Sequence, residues 1–133
     1  MSNVENVFVY GTLKEGRPLD REVFANTRLS VTPATIVGSL YNLGPYPAIK
    51  LKGKGLVHGE VHQFAKNDIK SVIAMMDRIE GYRPKGDEKY NLYNRKVVTA
   101  KTKDGEKMEV YVYEYSNKLK DSLKVDEGLW EPK

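Results

Sequence analysis

The sequence predicts an α+β domain in which strands dominate and one main helix interrupts them. Short runs of apolar, β-branched and aromatic residues recur along the chain and are typical of strands. A single strong helical pattern lies between the fourth and fifth runs, without the regular alternation of strand and helix that a parallel sheet requires. The last two runs are long and are joined by Asp104-Gly105, a pair typical of tight hairpins. We therefore expect a small mixed sheet, long and twisted enough to curl towards a barrel.

The strands follow from the positions of apolar residues and turn residues. The first strand contains the apolar run 7–9, and Pro33 in the second indicates an edge or a bulge. A short helix is predicted over residues 18–26, and the lone Trp130 is expected to anchor the polar tail. The strands are expected over residues 4–10, 28–43, 48–51, 56–64, 92–103 and 106–115.

The main helix is predicted over residues 67–82. Asn67 is expected to cap its start, Asp68 to lie in its first turn and Gly81 to end it. At about 100° per residue, four apolar side chains fall on one stripe that should face the core. These residues are Ile69, Val72, Ile73 and Met76.

Glu80 lies roughly 20° from Ile69 around this helix, near the middle of the apolar stripe. A carboxylate there loses solvation and faces the negative end of the helix dipole, so its pKa is expected to rise. A carboxyl group that titrates nearer neutrality suits a general acid or base. The alternative is that the last turn frays beside Gly81 and leaves Glu80 in solvent.

The turn after the first strand is a second candidate site. It leaves the backbone N–H groups of Gly11, Thr12 and Leu13 without partners in the sheet. Such donors suit a carboxylate or a developing oxyanion. The alternative is that Gly11 serves turn geometry alone.

His58, Glu60 and His62 alternate along the fourth strand, and alternating side chains of these types can hold a metal ion. The first and third of these residues lie roughly 13 Å apart at strand rise, too far for one ion without a bulge. We therefore interpret them as a polar outward face opposite Val57 and Val61, and we expect no metal.

The last strand places Tyr111, Tyr113 and Tyr115 on one face, with Val110 and Val112 on the other. An aromatic face of this kind is more often core or cavity wall than a platform for nucleic-acid bases. We expect it to be covered.

Composition narrows the function classes. A length of 133 residues fits one domain over residues 1–133, and no apolar run reaches the roughly 18 residues of a membrane span. The absence of cysteine excludes disulfides and thiolate catalysis. The first residues show no secretory signal, and this favours a cytoplasmic location. The net charge is +4, and the basic residues are interspersed with acidic ones, as is typical of a solvated surface. Phosphate-binding and serine-hydrolase motifs are absent.

Seven short motifs occur in a fixed order along nearly the whole chain. They are Tyr10-Gly11-Thr12-Leu13, Leu40-Tyr41 with Gly44-x-Tyr46-Pro47-Ala48, Val57-x-Gly59-Glu60-Val61, Asp77-x-x-Glu80-Gly81-Tyr82, Tyr93-x-Arg95, Val110-Tyr111-Val112-Tyr113 and Gly128-x-Trp130. The ordered set resembles the γ-glutamylcyclotransferase-like family, which includes AIG2-like and γ-glutamylamine cyclotransferase-like proteins.

The resemblance implies a small mixed barrel with a cavity. It implies that the loop from Tyr10 to Leu13 grips the substrate and that Glu80 is catalytic. Beside these residues, Tyr93 is expected to line the pocket. In the implied reaction, the α-amino group of a γ-glutamyl substrate attacks its own γ-carbonyl, which gives 5-oxoproline and releases the amine. Neither metal nor cofactor is implied.

Two other classes of function stay open on the sequence. A non-catalytic ligand-binding module would keep the cavity, but binding alone does not require an acid on the apolar face of the helix. A nucleic-acid-binding domain is indicated only by the pI near 9.1 and the tyrosines, and steep salt dependence of RNA binding would identify it. Our expectation is a small-molecule γ-glutamyl substrate, with no nucleic acid and no membrane as partner.

Overall fold

The computed structural model of the chain describes residues 4–10, 28–44, 47–125 and 128. Within these ranges the chain forms eight strands and one α-helix. The elements are β1 (Asn6–Val9), β2 (Arg28–Val37), β3 (Ser39–Asn42), β4 (Pro47–Lys50), β5 (Leu56–Phe64), α1 (Ile69–Glu80), β6 (Tyr93–Thr102), β7 (Lys107–Tyr115) and β8 (Lys124–Val125). In this part of the chain, no helix has the length and apolar character needed to cross a membrane.

Five strands close into a barrel in the order β1, β5, β2, β6 and β7. Neighbouring strands are antiparallel except β1 and β7, which run parallel and meet at Val7 and Tyr111. The hairpin between β6 and β7 turns at Gly105, which has a φ of 86°. A second sheet contains β4, β3 and β8 in that order. The predicted α+β architecture with a barrel-like mixed sheet is confirmed.

The strand predicted over residues 28–43 is divided in two at Gly38. The backbone N–H of Gly38 donates to the Gly55 carbonyl oxygen at 2.9 Å, which ends β2 and starts the second sheet. Pro33 lies where β2 pairs with β5 alone, because pairing of β2 with β6 is confined to Ala34 and Thr35. Proline therefore occupies a local edge, as its missing N–H predicts.

The barrel interior is filled by side chains from alternate strand positions. The ring of Phe8 stacks near that of Tyr10, with centroids 6.3 Å apart, and both lie inside the barrel. The other buried residues that the barrel strands contribute to this core are Ala34, Ile36, Val57, Val61, Ala100, Val110 and Val112, and the second sheet adds Leu40 and Ile49. Gly59 leaves room for Phe8 on the neighbouring strand, because a Cβ there would lie 2.6 Å from the ring.

A second core lies between α1 and the outside of the barrel. The helix contributes Val72, Ile73 and Met76, with Ile69 partly buried beside them. The barrel contributes the outward residues of its strands, namely Val7, Val9, Phe64, Tyr93 and Tyr113, with Tyr111 and Tyr115 partly buried. The predicted apolar stripe of the helix and the predicted burial of the tyrosine face are therefore confirmed.

The start of the helix differs from the prediction by one residue. Asp68 occupies the N-cap position, and its side chain makes no capping hydrogen bond. A turn precedes the helix, in which the Asp68 and Ile69 N–H groups both donate to the Ala65 carbonyl oxygen. The predictions that Asn67 caps the helix and that Asp68 lies in its first turn were therefore wrong.

The outward face of β5 is polar only in part. His58 is exposed as predicted, but His62 is fully buried, so the prediction of a solvated polar face was wrong there. Alternation predicts which side of a sheet a residue faces, but not whether that side is covered. Near the end of β5 the outer side is buried, since Phe64 packs in the core beneath α1. The Nε2 atom of His62 lies 3.1 Å from Glu60 Oε1.

The tail docks on both sheets. β8 pairs with β3, and the Gly128 carbonyl oxygen accepts a hydrogen bond from the His58 N–H at 2.8 Å. Trp130 and the helix predicted over residues 18–26 lie outside the described residues.

Replacing Gly59 with alanine should destabilise the barrel by about 1–3 kcal/mol, as expected for overpacking of a core. The new Cβ would lie 2.4 Å from the Val9 carbonyl oxygen, which belongs to the backbone and cannot turn away. Gly86→Ala is the matched control, because its Cβ meets only Arg83, at 3.2 Å or more, in an exposed loop. The measurement is urea unfolding, and equal midpoints for the two variants would contradict this account.

Candidate active site

The last turn of α1 is closed and does not fray. Gly81 adopts the left-handed conformation with a φ of 68°. Its N–H donates to the Arg78 carbonyl oxygen at 3.3 Å, and the Tyr82 N–H donates to the Asp77 carbonyl oxygen at 2.8 Å. These two bonds form a Schellman motif, which Gly81 permits because it has no Cβ. Glu80, the last helical residue, is therefore held in a fixed turn and is half-buried.

Burial raises the pKa of Glu80 from its usual 4.5 to about 7. Among the described residues, no side chain donates a hydrogen bond to its carboxylate. Desolvation therefore acts on this group without the compensation that a hydrogen bond to the charged form would give. The alternative of a frayed, solvent-exposed Glu80 was wrong, and near neutral pH both protonation states of this carboxyl group are populated.

Tyr10 lies at the end of β1, within electrostatic reach of Glu80. Its hydroxyl group donates to the Tyr113 carbonyl oxygen at 2.7 Å inside the barrel. Burial, followed by the negative charge of Glu80, raises the pKa of Tyr10 well above its usual value, although a backbone hydrogen bond from Ile49 opposes the rise. The structure thus brings two of the residues singled out by the sequence close together.

Tyr93 is also buried, and its hydroxyl group donates to the Pro47 carbonyl oxygen at 2.8 Å. Its ring meets that of Tyr115 edge to face, with centroids 5.4 Å apart. The hydroxyl groups of both candidate tyrosines are therefore engaged within the protein. Tyr93 holds the first residue of β4, and Tyr10 fixes the end of β1.

Gly11, Thr12 and Leu13 lie outside the described residues. They directly follow Tyr10, which leaves β1 at the carboxyl end of that strand. Because β1 and β7 are parallel, their carboxyl ends share one edge of the barrel. Near this edge, the Tyr10 hydroxyl donates a hydrogen bond to the carbonyl oxygen of Tyr113 on β7.

Sequence reasoning gave no role to a polar cluster beneath the same helical turn. Asp77 is buried, and its Oδ1 accepts a hydrogen bond from the Tyr113 hydroxyl at 2.7 Å. Its Oδ2 accepts one from Arg95 Nη1, also at 2.7 Å. The Arg95 guanidinium lies over the rings of Tyr82 and Tyr111, at 5.1 and 5.4 Å from their centroids. We call Asp77, Arg95 and Tyr113 the Asp77 cluster.

A sequence signal for the Asp77 cluster existed but was weak. Asp77 lies roughly 80° from Ile69 around the helix, at the margin of the apolar stripe. An acid at that margin indicates a buried partner, since carboxylates are rarely buried unless they are paired. Both Asp77 and Arg95 occur in the motifs noted above, yet helix geometry alone does not show that they meet.

Among the residues described, no group of three or more histidine, aspartate or glutamate side chains could hold a metal ion. His58 is exposed on β5 while His62 is buried, so these two histidines do not face a common site. The described residues place at this site a carboxyl group whose pKa lies near neutrality, beside buried tyrosines and the end of β1.

Comparison with known proteins decides the family. A family described as γ-glutamyl cyclotransferase, AIG2-like, matches residues 7–132. The chain belongs to this family. The match includes Glu80 and Tyr10 together with the whole of the Asp77 cluster, so the site described above lies within the part that defines the family.

Relatives of known sequence and structure extend this result. A γ-L-glutamyl-butirosin B γ-glutamyl cyclotransferase from Niallia circulans is 37% identical over 91 residues, which cover 68% of this chain and 54% of that protein. The match thus spans about half the length of this relative. An AIG2-like protein from Mus musculus has the same fold, with a TM-score of 0.68 at 18% identity, over 98% of this chain and 90% of its own. A protein from Arabidopsis thaliana gives a TM-score of 0.67 at 27% identity, over 98% of this chain and 72% of its own.

Stability should depend on pH through Glu80. The unfolded chain loses this proton near pH 4.5 and the folded chain near pH 7. Between these values the folded state holds the extra proton, so the free energy of unfolding falls as pH rises and levels off above about pH 7. Glu80→Gln lacks this effect. The Tm of Glu80→Gln minus the Tm of the wild type should therefore be smallest near pH 4.5 and should increase up to about pH 7. The measurement is thermal unfolding of both proteins across that range. A constant Tm difference would contradict the assignment.

Proposed function

We propose that this protein is a γ-glutamyl cyclotransferase in which Glu80 is the general acid and base. The α-amino nitrogen of the γ-glutamyl group attacks the γ-carbonyl carbon of the same group. A new C–N bond closes the five-membered ring of 5-oxoproline, the original amide C–N bond breaks, and the amine leaves. The observation that carries the proposal is a half-buried Glu80 with a pKa of about 7, beside the end of β1, in a chain of this family.

Ring closure supplies much of what an enzyme must otherwise provide. The nucleophile and the carbonyl belong to one molecule, so the protein has to hold the reactive conformer and move protons. The ionised Glu80 takes one proton from the substrate ammonium group, which makes the nitrogen nucleophilic. The protonated Glu80 then gives this proton to the leaving nitrogen as the amide C–N bond breaks, which returns the carboxyl group to its starting state. The ring nitrogen releases its second proton to solvent as the lactam forms, and the free amine takes up a proton from solvent. A pKa near neutrality suits both steps.

The developing oxyanion requires donors, and main-chain groups are the candidates. Gly11, Thr12 and Leu13, which are predicted to form a turn, follow Tyr10 in the sequence, and their N–H groups are proposed to hold the substrate or the oxyanion. Support comes from Tyr10, because its hydroxyl donates to the Tyr113 carbonyl oxygen and so holds the residue just before them. The proposed reaction needs neither metal nor cofactor, because it only redistributes protons and one C–N bond.

The substrate class is a γ-glutamyl derivative of an amine or amino acid. The Niallia circulans relative is named for γ-L-glutamyl-butirosin B. The loop from Gly81 to Lys89 begins directly after Glu80, and all its residues except Tyr82 are exposed. Its charged side chains are proposed to select the amine.

Turnover should be found with a panel of γ-glutamyl amino acids, γ-glutamylamines and glutathione, assayed with a chelator present and with 5-oxoproline detected by mass. Glu80→Gln keeps size and hydrogen bonding but cannot move a proton. It should therefore lower kcat by about 10² to 10⁴ while KM changes little. A fully active Gln variant would show that Glu80 is not the acid and base. Absence of turnover with every substrate would contradict the proposed activity.

The turn after β1 can be tested separately. Gly11→Val should raise KM strongly, because a branched side chain restricts the backbone and blocks close approach of the substrate. Thr12→Ser should change kcat and KM less than about threefold, since the proposed donors are main-chain groups. A folded but inactive Thr12→Ser variant would instead identify a side-chain contact with the substrate.

A further inference from the structure

Asp77 fixes the turn that carries Glu80 through both its side chain and its main chain. The carboxylate bonds Tyr113 on β7 and Arg95 on β6. The carbonyl oxygen accepts the Tyr82 N–H at 2.8 Å, which closes the backbone around Glu80 and Gly81. The chain just before Glu80 and the chain just after it are therefore tied to the same residue.

Arg95 reinforces this arrangement from the side of the sheet. Its guanidinium pairs with Asp77 and also lies over the ring of Tyr82, the second residue after Glu80. The pair is mostly removed from solvent, with side-chain exposures of 23% for Arg95 and 11% for Asp77. Arg95 thus contacts the helical turn on both sides of Glu80 without being a partner of its carboxylate.

Tyr113 connects the helix to the end of β1. Its hydroxyl donates to Asp77, while its carbonyl oxygen accepts the hydroxyl of Tyr10. The negative charge of Glu80 contributes to raising the pKa of both Tyr10 and Tyr113, so the three groups lie within electrostatic reach of one another. One residue of β7 therefore links the strand end that leads into the proposed binding turn to the helix end that carries the proposed base.

We propose that the Asp77 cluster positions the catalytic carboxyl group: Asp77, Arg95 and Tyr113 set the placement of Glu80 relative to Tyr10 at the end of β1. This inference rests on the proposed function. None of the three residues touches the reacting atoms, and all act through Glu80. Loss of alignment by about 1 Å at a catalytic group costs up to roughly 10² in rate.

The test variant is Tyr113→Phe, which removes one hydroxyl group and keeps the ring and the charge. Without this hydrogen bond, Arg95 is the one described side chain still paired with the Asp77 carboxylate, so kcat should fall about 10-fold to 100-fold while KM stays within about threefold. In the Glu80→Gln background the same change should cost less than about twofold, because the cluster acts only through Glu80. An equal loss in both backgrounds would overturn the proposal.

Tyr115→Phe is the matched control. Tyr115 lies on the same face of β7, two residues further along, and no described residue is hydrogen-bonded to its hydroxyl group. Its kcat and KM should match the wild type. Arg95→Lys is the second test variant, because it keeps the charge but loses the planar group that lies over Tyr82. It should lower kcat about threefold to tenfold, and folding is checked by circular dichroism for every variant.

A titration of Glu80 tests the cluster without reference to turnover. The carboxyl carbon of Glu80 can be followed by NMR between pH 5 and 9, where Tyr10 and Tyr113 stay neutral because their pKa values are raised. In Tyr113→Phe the loosened turn should admit water, so Glu80 should titrate at least half a pH unit lower than in the wild type. Tyr115→Phe should leave the titration unchanged.

The two measurements separate this inference from the proposed function. If the wild type forms no 5-oxoproline, the proposed function fails, while a shifted Glu80 titration in Tyr113→Phe would still support positioning by the cluster. If the wild type is active and folded Tyr113→Phe and Arg95→Lys keep both its kcat and its Glu80 titration, the function stands and the positioning role is overturned. A lower Tm with unchanged kcat and titration would also overturn it.

Discussion

The structure depends on the alternation of side chains along β1. This strand has only four residues, yet Phe8 points into the barrel while Val7 and Val9 point outwards to the helix. Tyr10 continues the inward series just after the strand. A shift of one residue in register would exchange the two sets and disrupt both cores at once. The short first strand is thus fixed by packing on both of its faces.

The candidate site follows from this double packing. The outer core holds α1 against the barrel, and the last turn of the helix then lies near the end of β1. Burial that stabilises the fold is the same burial that raises the pKa of Glu80. A carboxylate is retained at a place where an apolar residue would be more stable, which is a local conflict typical of functional sites. Asp77 is a second buried carboxylate, about one turn earlier in the helix, and it accepts hydrogen bonds from Arg95 and Tyr113.

Much of the fold could be predicted because its signals are local. Hydrophobic alternation gave β5 and the β6–β7 hairpin nearly residue by residue, and the helical stripe with Gly81 gave the end of α1. Burial of His62 could not be predicted, because alternation does not reveal what covers the outer face of a strand. The Asp77 cluster was missed for a related reason, since its members come from a helix and two strands that only the tertiary fold brings together. The raised pKa of Glu80 could be predicted, because its conflict with the helix pattern is visible in the sequence.

The parallel contact between β1 and β7 has a consequence for how the chain folds. The Tyr10 hydroxyl and the Tyr113 carbonyl are separated by 103 positions in sequence, although they are hydrogen-bonded in the barrel. Closing so long a loop costs conformational entropy before the contact is gained, so such pairings form slowly. During synthesis on the ribosome, β1 has no β7 to join until most of the chain has emerged. The contact between Tyr10 and Tyr113 therefore forms late in folding, and until then both open edges of the sheet need protection from pairing with other chains.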